Sequence, residues 1–310
     1  IAFANQYFGF EVKPAIFGVT FSRSHAESLG LDWKMAYSAI LTDLQVRRLR
    51  IPVYWNDIER TPDAYTFENI DWQIDQAEKY NAKIILAIGR KLPRWPECHV
   101  PDWAQKLSET QQRDEILAML TKVVQRYASR SSVIMWQVEN EPLFAFGKCP
   151  PPDLEFLRKE IALVKLIDTR PVMITESGEL STWVSAASVA DVLGISTYRV
   201  VWQKYIGFIF WPVTPRYYFE RAKAVSLLVD RIIISELQAE PWLTTGDFSL
   251  SLDEQPKLFT SKQLRDNVLF ARRIGFGEIY LWGAEWWFLL KTKGYPETWD
   301  AARGVFQEVR

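Results

Sequence analysis

Histidine and cysteine are scarce in this chain, with two of each among 310 residues. With only His25 and His99 there are too few ligands for a multi-histidine metal site and little from which to build a Ser-His-Asp relay. There is no Walker loop, and Gly275-Phe276-Gly277 lacks the third glycine of a dinucleotide fingerprint. The sequence therefore implies no metal and no nucleotide cofactor. An excess of charge of one sign is also missing. Lys and Arg number 37 against 38 Asp and Glu, a net charge of −1, which gives no electrostatic reason to expect nucleic acid as a partner. No apolar run approaches the roughly 18 residues that span a bilayer.

What is present is a large apolar and aromatic complement. Hydrophobic residues make up 48% of the chain, enough for one sizeable core, and 14 Trp, 12 Tyr and 18 Phe make it rich in aromatics, most of which read as core. Some of these rings read as sugar platforms, since an aromatic face packs well on a pyranose face. Apolar runs without polar alternation suit strands buried on both faces. They fall at 15–21, 49–54, 83–88, 133–138, 171–175, 191–197, 232–235 and 278–282. Helical patterns lie between them at 33–47, 67–80, 109–129, 154–168, 216–229 and 261–274, with a closing helix at 298–309. Strand and helix alternate steadily, with no repeat or linker. The expected fold class is α/β: a single (β/α)8 TIM barrel over residues 1–310. A doubly wound open sheet is the rival, but it needs no eighth strand.

Two of these strands end in glutamate. The fourth runs into Glu139-Asn140-Glu141-Pro142 and the seventh into Ser235-Glu236. Two carboxyls at the mouth of one barrel are what glycoside hydrolysis needs: a proton donor, and a nucleophile or base. The pair resembles the catalytic pair of clan A glycoside hydrolases, where Asn-Glu closes strand four and the nucleophile closes strand seven. The resemblance covers nearly the whole chain. Trp55 to Gly89 is similar to the second repeat of cellulase-like and β-galactosidase-like members, and Pro93-Arg94-Trp95 to families thirty-nine and forty-two. Family five places a histidine after strand three, where this chain has Gly89-Arg90.

The resemblance implies Glu141 as acid/base and Glu236 as nucleophile. It implies Arg50 beside the nucleophile, Tyr198 hydrogen-bonded to it and Trp282 as the floor of the cleavage subsite. Asn140 would hold the 2-hydroxyl of the sugar, and Trp55 is counted among the substrate-binding residues. Independently of any family, an arginine inside the apolar strand Leu49-Arg50-Ile51 is costly unless paired, so a catalytic carboxylate is its expected partner.

Other glutamates compete for these roles. Glu139 shares parity with Glu141 but lies deeper. Glu176 follows strand five, too early for the nucleophile, and reads as a rim or substrate-binding residue. Glu240 falls on the loop after Glu236. Cys98 and Cys149 lie in the adjacent loops after strands three and four, so an exported protein would bridge them. Ala2-Phe3-Ala4 looks like the tail of a secretory cleavage site or else a mere boundary. Together these features imply a secreted or cell-surface protein.

The segment 200–213 after strand six is almost wholly apolar. It reads as a lid packed over the cleft, a greasy aglycone site or a peripheral membrane contact. The expected function is retaining β-glycoside hydrolysis, with a carbohydrate partner. Transglycosylation by the same residues, or a non-catalytic glycan- or lipid-binding barrel, is the alternative.

Overall fold

The computed structural model describes residues 11–203, 205–242 and 254–308. Ala2-Phe3-Ala4 lies outside the described residues. Eight strands close into a parallel barrel: β1 (Ile16–Thr20), β2 (Arg48–Pro52), β3 (Lys83–Ile88), β4 (Val133–Val138), β5 (Val172–Ser177), β6 (Val192–Thr197), β9 (Arg231–Gln238) and β10 (Glu278–Trp282). β10 pairs with β1 to complete the ring, as a (β/α)8 barrel requires. Between β6 and β9 lies an antiparallel hairpin, β7 (Val200–Gln203) and β8 (Gly207–Phe210).

The helices begin where the sequence supplies caps. Asp32 accepts from the first backbone N–H groups of Trp33–Thr42, and Ser108 and Thr260 form capping boxes with Gln111 and Gln263. The first of these stops before the expected Arg47, as the chain turns through a left-handed residue at Gln45 (φ 58°). The helix Ala284–Thr292 has no counterpart in the sequence reading. Ala284 through Leu290 are all buried, so it has no polar face and no amphipathic period to betray it.

Side-chain alternation organises the barrel interior. Ile85, Met135, Met173, Val192, Ile233 and Tyr280 form one apolar cluster that plugs its lower part. Two residues further along the strands, the same inward parity brings Gln137 and Thr175 above this plug. Arg50 lies level with Ile85 in the β2–β3 register and points the same way. β9 breaks the alternation. Its register slips by one residue against β6 and against β10 in the stretch around Ser235 and Glu236. A bulge of this kind re-aims a side chain. Here it lets Glu236 face the interior one residue after Ser235, which also lies on that side against Gly194.

Candidate active site

Glu236 is buried, and its two carboxylate oxygens have different partners. Arg50 Nη1 donates to Oε1 at 2.8 Å, and the Tyr198 hydroxyl donates to Oε2 at 2.9 Å. The buried Arg50 is thus paired as its strand context demanded, and its other donors are used as well. Nε bonds Gln137 Oε1 at 2.6 Å, Nη2 bonds Asn140 Oδ1 at 2.7 Å, and Nη1 reaches Thr20 Oγ1 at 3.3 Å. A guanidinium satisfied on all sides is a rigid support. It ties β1, β2, β4 and β9 to one carboxylate.

Glu141 lies on the turn after β4, at φ 45°. Its N–H donates to Thr175 Oγ1 at 2.8 Å, and its Oε1 accepts from Ser196 Oγ at 2.7 Å. Ser196 is paired in register with Glu236, so one serine connects Glu141 to the strand that carries Glu236. Burial, and next the charge of Glu236, push the Glu141 carboxyl up to about 8. Asn140 Oδ1 is held by Arg50, by Thr175 Oγ1 at 3.2 Å and by Gln137 Nε2 at 3.3 Å. Its Nδ2 donates to Glu97 Oε2 at 3.4 Å.

The comparisons bear on the fold and on the first half of the chain. Residues 24–147 match the family model described as Cellulase (glycosyl hydrolase family 5), a stretch that includes Arg50, Asn140 and Glu141. Outside that stretch the likeness to solved structures is one of fold, the (β/α)8 barrel. The fold is similar to that of GH5_18 from Streptomyces cattleya in complex with GlcNAc, at 12% identity and TM-score 0.57, over 88% of this chain and 71% of that one. Xylanase 10B from Thermotoga petrophila RKU-1 aligns at 14% identity and TM-score 0.59, over 99% of this chain and 96% of that one. The β-galactosidase from Bacillus circulans sp. alkalophilus gives 12% identity and TM-score 0.62, over 97% of this chain but only 56% of that one. No curated protein matches the sequence.

Other residues depart from expectation. Trp55 has no exposed surface. Its indole N–H donates to Glu59 Oε2 at 2.7 Å and its ring meets Trp103 edge to face. It belongs to the core outside the barrel and has no face to offer a sugar, so its reading as a substrate-binding residue does not hold. Trp282 does lie at the top of β10, but the Arg94 guanidinium covers one ring face at 4.1 Å from the centroid. Arg94 in turn bridges Glu240 and the fully buried Glu285. Glu176 is buried at the end of β5 rather than on the rim. Its charge bears on Glu141, and its Oε2 has no hydrogen-bond partner.

Glu139 turns away from the pair. At φ 59° its carboxylate accepts from Arg90 N and Lys91 N, against Gly89, where a Cβ would lie 2.6 Å from Glu139 Oε1. Burial, and next the charge of Glu139, hold the Glu160 carboxyl well above the usual range. Cys98 and Cys149 are bridged, as expected.

Sequence reasoning missed Gln137, Thr175, Ser196, Lys91 and Glu97 as parts of the site. Strand parity could have found the first three. Lys91 Nζ fastens the β4 loop by donating to the carbonyls of Glu141 at 2.8 Å and Phe144 at 2.6 Å. Nothing in the local sequence marks Glu97.

Proposed function

We propose that this protein is a retaining β-glycoside hydrolase acting by double displacement. Glu141 protonates the departing glycosidic oxygen while Glu236 attacks the anomeric carbon. The C–O bond to the leaving group breaks as the glycosyl–Glu236 ester forms. Glu141, now ionised, takes a proton from water, which attacks the same carbon and releases Glu236. Asn140 Nδ2 holds the 2-hydroxyl. The observation that carries this reading is the unlike treatment of the two carboxyls. Glu236 receives two hydrogen bonds from a cation and a phenol, as an ionised nucleophile needs, while Glu141 is held neutral to about 8. A binding module has no use for such a division.

The substrate is proposed to be a β-linked glycan or glycoconjugate, and the setting secreted or cell-surface, which the disulfide favours. A panel of aryl β-glycosides and β-glucans, with NMR of the first-formed anomer, tests the proposal. Release of the β-anomer first supports it, and release of the α-anomer refutes the nucleophile. Product transferred to an added sugar would identify the transglycosylase version of the same chemistry.

A second feature bears on where the enzyme works. The hairpin β7–β8 is not packed down as a lid would be. Tyr205, Ile206, Phe208 and Phe210 are 85%, 73%, 62% and 54% exposed, whereas Trp202 and Trp211 are half-buried. Apolar side chains grouped at a hairpin tip suit peripheral contact with a membrane. A lipid-bearing glycoconjugate is the substrate class that would fit both features.

A further inference from the structure

The double-displacement scheme leaves a third carboxyl at the site without a task. Glu97 lies in the loop after β3 at φ 72°, a left-handed conformation that is unfavourable for a side chain of its size. The loop is fixed from several directions. The Glu97 carbonyl accepts from Leu92 N at 2.8 Å, its N–H donates to Arg94 O at 2.9 Å, and Lys148 N donates to Pro96 O at 3.0 Å. Cys98, the next residue, is bridged to Cys149. On one side Gly147 leaves no space, since a Cβ there would lie 2.5 Å from Glu97 Cβ.

So confined, the side chain reaches the catalytic residues. Asn140 Nδ2 donates to Glu97 Oε2 in a long bond of 3.4 Å. Among the described residues no hydrogen bond reaches Oε1. The charges that bear on Glu97 are those of Glu236, Glu141 and Lys91. Glu97 Oε1 is not among the polar atoms sealed from solvent without a partner, so this oxygen, on a carboxyl with one long hydrogen bond, is open to a ligand. A sugar hydroxyl there would take a place that no described protein group holds.

We propose that Glu97 binds a hydroxyl of the sugar seated between Glu141 and Glu236, and selects the sugar by the configuration at that carbon. The proposal rests on the glycosidase reading. Asn140 is assigned the 2-hydroxyl, so the neighbouring 3-hydroxyl is the one expected at Glu97. Burial and the charges of Glu236 and Glu141 shift Glu97 towards its neutral form, and a neutral carboxyl both donates to and accepts from a hydroxyl. An ionised Glu97 would instead suit the ammonium group of an amino sugar.

Turnover of aryl β-glycosides by the wild type tests the glycosidase reading by itself. Glu97 is tested on the best of those substrates and its monodeoxy analogues, with the wild type, Glu97→Ala and Glu97→Gln. Removing the 3-hydroxyl should lower kcat/KM of the wild type by about 30-fold or more, because a site built for a hydroxyl rejects its absence strongly. The same removal should cost Glu97→Ala less than about threefold, since its partner is already gone. Equal losses in both enzymes would overturn the assignment. Glu97→Gln preserves size and a neutral donor and acceptor, and it should retain kcat/KM within about tenfold of wild type. If Glu97→Gln matches Glu97→Ala and the wild type prefers 3-amino glycosides, Glu97 acts as an ionised carboxylate and the hydroxyl reading fails. Circular dichroism and melting curves establish that both variants are folded.

Discussion

Replacing Glu141 by glutamine removes the proton that the leaving group needs and leaves the shape of the site unchanged. The magnitude follows from the position of its carboxyl at about 8. At pH 7 about 90% of such a group is protonated, against roughly 0.3% for an unperturbed glutamate, so the site holds about 300-fold more of the active acid. Substrates with poor leaving groups use that proton fully, whereas activated aryl glycosides depart without it. Glu141→Gln should therefore lower kcat/KM on an alkyl glycoside or disaccharide by at least about 100-fold more than on a dinitrophenyl glycoside. The pH profile supplies the second readout. The acid works protonated, so wild-type activity should fall as pH rises through about 8. Glu141→Gln has no such proton to lose, so its profile should be flat there. Ser196 bonds the Glu141 carboxylate and opposes the upward shift, so Ser196→Ala should move this basic limb higher. Equal losses on good and poor leaving groups, or a basic limb that survives in Glu141→Gln, would refute the assignment.

Other outcomes are equally specific. Glu236→Gln should abolish turnover in a protein that still folds, with a lowered melting temperature because Arg50 loses its counter-charge, and measurable hydrolysis of an activated glycoside would count against it as nucleophile. Loss of the Cys98–Cys149 bridge, which spans a sequence separation of 51, should cost about 4 kcal/mol in the chain-entropy model. Melting with and without reductant measures this, and two free thiols in the denatured, unreduced protein would disprove the bridge. Glu160 keeps a raised carboxyl pKa in the fold. The stability it contributes below the unfolded glutamate pKa is thus lost as pH rises through the raised folded value. Glu160→Gln should flatten the fall in melting temperature between pH 5 and pH 8, and parallel curves would contradict this. Wild type should co-sediment with anionic liposomes more than Phe208→Ser/Phe210→Ser, and absence of binding by both would remove the membrane contact.

The barrel was legible because its strands are buried on both faces and its helices are amphipathic and capped. Strands three, four and eight fall at their expected bounds. Strand seven runs past Ser235 to Gln238, because its bulge keeps the chain in the sheet while turning Glu236 inward. A bulge is set by neighbouring strands and leaves no mark on local composition. Of the candidate site, it was legible that Arg50, Asn140, Tyr198 and Glu236 meet, because each is tied to a strand or strand end. Trp55 was misassigned because a motif fixes position along the chain but not which way a ring faces. Glu97 was missed for the opposite reason. It is brought to the cleft by a turn and a crosslink rather than by a strand.

Glu97, Glu139 and Glu141 share one backbone property: each occupies the left-handed region, at φ 72°, 59° and 45°. Glycine or asparagine would sit there more comfortably, by about 1 kcal/mol at each position. The mouth of this barrel is therefore under opposing selection, with the backbone favouring one residue and the chemistry another. A search for more heat-resistant variants that reads out folding alone would be drawn to these three positions, and at Glu141 it would trade away the proposed acid.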